Sequence, residues 1–228
     1  MKPIRFVCGT RGTREQFSND TALGRSLKLY SHLKHAQLHL FDNNAQGLST
    51  IYNAAIQYAV DNPAILVFVH DDVWLHDFFW VDRINEALQR FDVVGLAGNK
   101  RRVPRQPAWA FVTLDWKWDE SQFLSGTVGH GKGFPCDNVS LFGPSGQTCK
   151  LLDGLMLVVD SARLVETGLR FDEQFTFHFY DMDFCRQAEL KGLRMGTWPL
   201  SVVHDSASVF GSPAWIEGYG RYLRKYGE

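Results

Sequence analysis

The chain has 228 residues, 45% hydrophobic and 21% charged, with a formal net charge of −1. This describes a globular chain able to bury a core, and the near-zero charge argues against a general nucleic-acid binder. No apolar run approaches a bilayer-spanning length and the start MKPIRFVCGT lacks a signal-peptide core, while Cys8, Cys136, Cys149 and Cys185 form no C-x-x-C pair and read as reduced thiols of a cytoplasmic protein.

Strand and helix patterns alternate along the chain. Residues 3–9 (PIRFVCG) read as a first strand ending at Gly9-Thr10-Arg11-Gly12. Residues 20–34 carry a helical pattern through Leu23, Leu27, Tyr30 and Leu33, with Asn19 or Asp20 as N-cap. Residues 36–42 alternate as a strand, and residues 48–60 return to helix, closed by Asn62-Pro63. The apolar run 64–69 predicts a strand buried on both faces. A helix over 77–90 leads to a further strand in FDVVGLAG, residues 91–98. Residues 99–150 are rich in Gly, Pro, Trp and charge and show little periodicity, as a lid or binding region would, or a stretch whose regular elements leave no clear pattern. The alternation resumes with a strand in LLDGLMLVVD (151–160), a helix over 180–191 stopped by Gly192, and a last strand over 197–203 ending at His204-Asp205. The order predicts a single α/β domain with a mostly parallel, mixed sheet between helices.

Chemistry concentrates at His70-Asp71-Asp72, directly after the buried strand. Open α/β sheets bind ligands at the carboxyl ends of their strands. Two carboxylates and an imidazole there can hold a divalent metal, and the metal a phosphate. A solvated turn whose Asp caps the next helix accounts for the same residues.

Several segments resemble one family. Gly168-Leu-Arg-Phe-Asp-Glu-Gln-Phe175, Phe179-Tyr-Asp-Met-Asp-Phe-Cys-Arg186 and Gly192-Leu-Arg194 resemble the C-terminal half of inverting nucleotide-sugar glycosyltransferases, among them bacterial rhamnosyl- and galactosyltransferases. That family carries G-x-x-F-D-E-x-F, an E-D-x-D helix start and a G-[FLY]-[RK] helix end. Asn44-Ala-Gln-Gly-Leu-Ser-Thr-Ile-Tyr-Asn53 resembles its N-x-x-G…N helix, and His70-Asp71-Asp72 falls at its D-x-D. The chain departs at two positions, with His70 for the first Asp and Tyr180 for the Glu.

The resemblance implies a GT-A fold, a Rossmann-like domain whose residues 1–98 form the nucleotide side and 99–228 the acceptor side. It implies a nucleotide-diphosphate sugar donor, a carbohydrate or lipid-linked glycan acceptor, and Mn²⁺ or Mg²⁺ held by Asp72 and His204. His70 is expected to pack beside that metal, because a magnesium-like ion prefers oxygen. Asp181 becomes the general base, at a helix N-terminus whose dipole favours its ionised form. Without the resemblance, Asp181 and Asp183 read as ordinary N-terminal helix charges. Thr10, Arg11, Asp42, Asn44, Gly47, Asn53 and Asp71 are donor-side candidates, although Asp42, Asn44 and Asn53 serve equally as turn or cap residues. Asp153 and Asp183 are candidates for contact with the sugar or acceptor, as are Trp109 and Trp116, with Trp118, which as aromatics serve equally as core. The C-terminal run GYGRYLRKYGE reads as a solvated helix or a contact with an anionic membrane surface. Three rivals stand beside transfer: a hydrolase with a zinc- or iron-like ion at His70, Asp72 and His204, a non-catalytic sugar- or nucleotide-binding module, and a nucleotidyltransferase using Gly9-Thr-Arg-Gly-Thr-Arg14.

Overall fold

The computed structural model describes residues 2–205 and 210–227. The first half runs β1 (Ile4–Gly9), α1 (Arg14–Asp20), α2 (Ala22–Leu29), β2 (Ala36–Phe41), α3 (Leu48–Asp61), β3 (Ile65–Val69), β4 (Val73–Leu75), α4 (Trp80–Arg90), β5 (Val93–Gly95) and β6 (Ala97–Asn99). The second half runs β7 (Leu124–His130), β8 (Asn138–Gly143), β9 (Leu151–Leu152), β10 (Met156–Asp160), α5 (Ser161–Thr167), α6 (Tyr180–Leu190), β11 (Met195–Thr197), β12 (Val202–His204) and α7 (Pro213–Tyr226). None of the described helices is long and apolar enough to cross a membrane.

Among the described residues the strands form two six-stranded sheets, in the orders β11-β5-β10-β3-β1-β2 and β4-β12-β7-β6-β9, with β8 beside β7. The first sheet is mixed and mostly parallel, as expected. β2, β1 and β3 are parallel, as are β5 and β11, but β10 lies antiparallel to both β3 and β5. The second sheet is largely antiparallel. Phe6 meets Trp80 of α4, whereas Phe68, in register with Val7, meets Tyr52 of α3. Neighbouring strand residues point to opposite faces, so α3 and α4 cover opposite faces of the first sheet.

Three strands expected as single runs each divide between the sheets. Residues 91–98 become β5 and β6, residues 151–160 become β9 and β10, and residues 197–203 become β11 and β12. The break in the second of these falls at Asp153-Gly154-Leu155. A hydrophobic pattern records burial but not which sheet a strand joins, so the crossings leave no periodic signal. The stretch expected to be irregular, 99–150, contains β7 and β8, paired from Gly126 to His130. Small residues and outward-facing polar ones hide this hairpin.

Local chemistry explains the missed helices. α1 begins at a capping box, in which Thr13 Oγ1 accepts from the Gln16 N–H and the Gln16 side chain accepts from the Thr13 N–H. The cap of α2 is Thr21 rather than Asn19 or Asp20. α5 runs from an Asp160 cap to Gly168 at φ 62°. α7 is not a solvated helix: Trp215, Tyr219 and Tyr222 recur on one face and are buried. Cys8, Cys136, Cys149 and Cys185 are all free thiols.

Candidate functional site

The link between β3 and β4 is His70-Asp71-Asp72, so this tripeptide lies where the chain passes from the first sheet to the second. β12 pairs antiparallel with β4 and puts His204 opposite Val73, next to Asp72. The Asp205 N–H donates to the Asp72 carbonyl at 2.9 Å. His204 Nε2 consequently sits 3.3 Å from Asp72 Oδ2. One ligand atom each from His70, Asp72 and His204 lie within 4.8 Å of one another, close enough for a single cation. The structure therefore brings His70 into the cluster, where the transfer reading of the sequence expects Asp72 and His204 as ligands with His70 packed beside them, and the hydrolase reading expects all three. Burial works against the charged form of His204, but its bond to Asp72 prevails and raises its pKa. Burial lowers the pKa of His70 despite the nearby Asp72 and Asp153.

The turn between β9 and β10 closes the other side of the site. The His70 N–H donates to the Leu155 carbonyl at 3.3 Å. At the start of α6, Tyr180 Oη donates to the Gly154 carbonyl at 2.6 Å and contacts His70 Nε2 at 2.9 Å. The two departures from the expected motifs, His70 and Tyr180, thus touch each other. The Gly154 N–H donates to Asp181 Oδ2 at 3.1 Å. A Cβ on Gly154 would lie 2.5 Å from Tyr180 Oη and 2.9 Å from Asp181 Cβ, so this close approach requires glycine.

Asp181 also accepts the Met182 N–H at 2.8 Å. Desolvation and the charge of Asp153 outweigh these bonds and push its carboxyl from 3.8 up to about 7. The helix dipole was expected to favour the ionised form, and here burial reverses that balance. A carboxyl titrating near 7 is poised to accept a proton at neutral pH.

His70, Asp72, His204, Asp153 and Asp181 all line one cavity of about 430 Å³. Aromatic residues line the same cavity, among them Trp109, Phe111, Trp118, Phe142 and Trp215. Trp109 meets Phe142 edge-on at 4.9 Å, and Trp118 stacks over the same ring at 5.9 Å. Carboxylates and aromatic side chains lining one cavity suit a polyhydroxylated ring, whose hydroxyls can bond to acids and whose C–H faces can stack.

Other candidates lie elsewhere. Trp116 is not among the lining residues and packs on Phe111, Phe210 and Trp215. Asp183 is fully buried, held by Lys225 Nζ at 2.5 Å and Tyr226 Oη at 2.7 Å, so it anchors α7 to α6. Those bonds direct part of the C-terminal cationic run inward. Asn53 bonds Phe171 and Glu173, and Asn44 bonds the backbone of Gln46. Gly47 caps α3 against Thr176, where a Cβ would come within 2.8 Å. Thr10 is buried, and its backbone bonds Phe41 and Asn44, while Arg11 is exposed beside it. Asp42 follows β2, and Asp71 stands between His70 and Asp72. Thr10, Arg11, Asp42 and Asp71 therefore lie at the carboxyl ends of β1, β2 and β3, outside the aromatic cavity. Sequence reasoning missed the aromatic lining residues Phe111, Phe142 and Trp215 and the contact between His70 and Tyr180.

No family model and no curated protein matches the chain. Solved structures do. S. aureus TarS residues 1–349 aligns with a TM-score of 0.50 at 13% identity, over 97% of this chain and 64% of that one. The catalytic domain of Drosophila β1,4-galactosyltransferase 7, solved with xylobiose, aligns with a TM-score of 0.48 at 11% identity, over 96% of this chain and 80% of that one. A197 from STIV aligns with a TM-score of 0.49 at 9% identity, over 92% and 96%. At such identities the likeness is one of fold, and the fold is that of the GT-A glycosyltransferases.

Proposed function

We propose that the chain is a metal-assisted glycosyltransferase that moves a sugar from a nucleotide-diphosphate sugar to an acceptor hydroxyl with inversion. The observation that carries this reading is one cavity that holds both the His70–Asp72–His204 cluster and a carboxyl, Asp181, titrating near 7. The donor set suits a divalent ion: one carboxylate and two imidazoles favour a first-row transition ion such as Mn²⁺ over Mg²⁺. When bound, such an ion offsets negative charge that grows on the departing diphosphate. Thr10, Arg11, Asp42 and Asp71, at the strand ends, would hold the nucleotide, with Asn44, Gly47 and Asn53 fixing the loop and helix behind them. Trp109 and Trp118 would hold the acceptor ring, and Asp153 would bond its hydroxyls.

In this reading the acceptor oxygen attacks the anomeric carbon from the face opposite the diphosphate. The new C–O bond forms as the bond to the diphosphate oxygen breaks, and the acceptor proton passes to Asp181. A single displacement inverts the anomeric centre. Asp181→Asn tests the role of the base, with transfer expected to fall roughly 100- to 10,000-fold while diphosphate binding stays unchanged. Near-normal transfer in that variant would place the base elsewhere. The two imidazoles also favour a second reading, a zinc- or iron-dependent hydrolase. Tight Zn²⁺ binding, with hydrolysis in place of transfer, would select it.

A further inference from the structure

The contact between His70 and Tyr180 decides which nitrogen of His70 carries the proton. Tyr180 Oη carries one proton and lies 2.6 Å from the Gly154 carbonyl, an oxygen that can only accept. The tyrosine proton is therefore committed to Gly154. Tyr180 Oη can meet His70 Nε2, at 2.9 Å, only as an acceptor. Nε2 must carry the proton in that bond, and Nδ1 is left as the nitrogen with a lone pair to offer. Phe177 lies over the imidazole at 5.9 Å and 24°, which further restricts the ring. The Leu155 carbonyl fixes the backbone of His70 from the same turn.

We propose that Tyr180 is a positioning residue that makes His70 a third metal ligand through Nδ1, beside Asp72 and His204. This rests on reading the cluster as a metal site. Ligating histidines generally donate their other ring N–H to an oxygen that fixes tautomer and orientation. Here that oxygen is a phenol, itself fixed by the Gly154 carbonyl. The two motif departures thus form one unit: His70 supplies a nitrogen, and Tyr180 sets which nitrogen it is. Such a site discriminates against Mg²⁺, which demands oxygen ligands.

Two measurements test this on the whole chain. Long-range proton–nitrogen NMR of the metal-free protein reads the His70 tautomer directly. The proton should reside on Nε2 in the wild type, with that preference lost in Tyr180→Phe. A proton on Nδ1 in the wild type overturns the proposal. Calorimetry with Co²⁺ and Mn²⁺ then compares wild type, Tyr180→Phe, His70→Ala and the double variant, each shown to be folded by thermal melting. Tyr180→Phe should weaken binding about 10- to 100-fold and should have no further effect in the His70→Ala background. An equal loss in that background would mean that Tyr180 supports the turn rather than His70, and would overturn the proposal, as would affinity indifferent to Tyr180→Phe. If the wild type binds neither ion while its tautomer is as expected, the metal site itself fails, and the ligand role of His70 with it.

Discussion

Replacing Asp181 with Asn should alter stability in opposite directions at the two ends of the pH range. In the folded protein burial and Asp153 raise the Asp181 carboxyl from 3.8 to about 7. Below about pH 4 both folded and unfolded states hold the proton, and the group contributes nothing. Between about 4 and about 7 only the folded state holds it, so stability falls as pH rises. Above 7 the full penalty of a buried carboxylate remains. A shift of about three units corresponds to about 4 kcal/mol. Asn does not titrate and escapes this penalty. It has a cost of its own, because a single carbonyl oxygen cannot serve both the Gly154 and Met182 N–H groups, and one N–H is left facing an amide. That cost is about 1–3 kcal/mol and independent of pH. Urea denaturation of both proteins at pH 4 and pH 8 separates the terms. The variant should be the less stable at pH 4 and the more stable at pH 8, with the difference moving by about 4 kcal/mol between them. A difference that stays flat with pH would refute the reasoning, because Asp181 would then ionise as an ordinary carboxyl and lose its poise as a base.

Other changes test neighbouring parts of the site. Asp72→Ala should abolish Mn²⁺-dependent binding of a nucleoside diphosphate in calorimetry while the thermal melt persists, and His204→Ala should weaken it less, because water can take one coordination position. Gly154→Ala should cost about 1–3 kcal/mol in denaturation, because its methyl would meet Tyr180 Oη and Asp181 Cβ. Lys225→Met leaves the fully buried Asp183 without its cation and should cost about 3–5 kcal/mol in the same assay.

The elements that sequence revealed are those whose chemistry is local. β3 shows as an apolar run and α3 as a helix bounded by Pro63, and both stand within a residue or two of expectation. Asp72 and His204 could be singled out in sequence because one follows a buried strand at the expected D-x-D and the other closes the last strand. The sequence leaves open whether His70 joins the cluster, as in the hydrolase reading, or packs beside it, as in the transfer reading, because its approach depends on β3 ending one residue before a turn into another sheet, and on β10 pairing antiparallel beside it. The sheet crossings escaped for the same reason: Asp153-Gly154 reads as a pause within one strand, and only tertiary pairing shows it as the boundary between two. Asp183 was misread because its partners, Lys225 and Tyr226, lie more than forty residues away. No periodicity connects groups at that separation. The raised pKa of Asp181 likewise comes from burial and from Asp153, which the helix position alone does not disclose.

The most direct test of the metal-assisted transfer reading is calorimetry of the wild-type chain against a panel of nucleoside diphosphates, each with Mn²⁺, with Mg²⁺ and with neither. The expected result is that at least one nucleoside diphosphate binds in the presence of Mn²⁺, binds more weakly with Mg²⁺, and loses its Mn²⁺ dependence in Asp72→Ala. Binding of none of them, or binding indifferent both to Mn²⁺ and to Asp72, would contradict it.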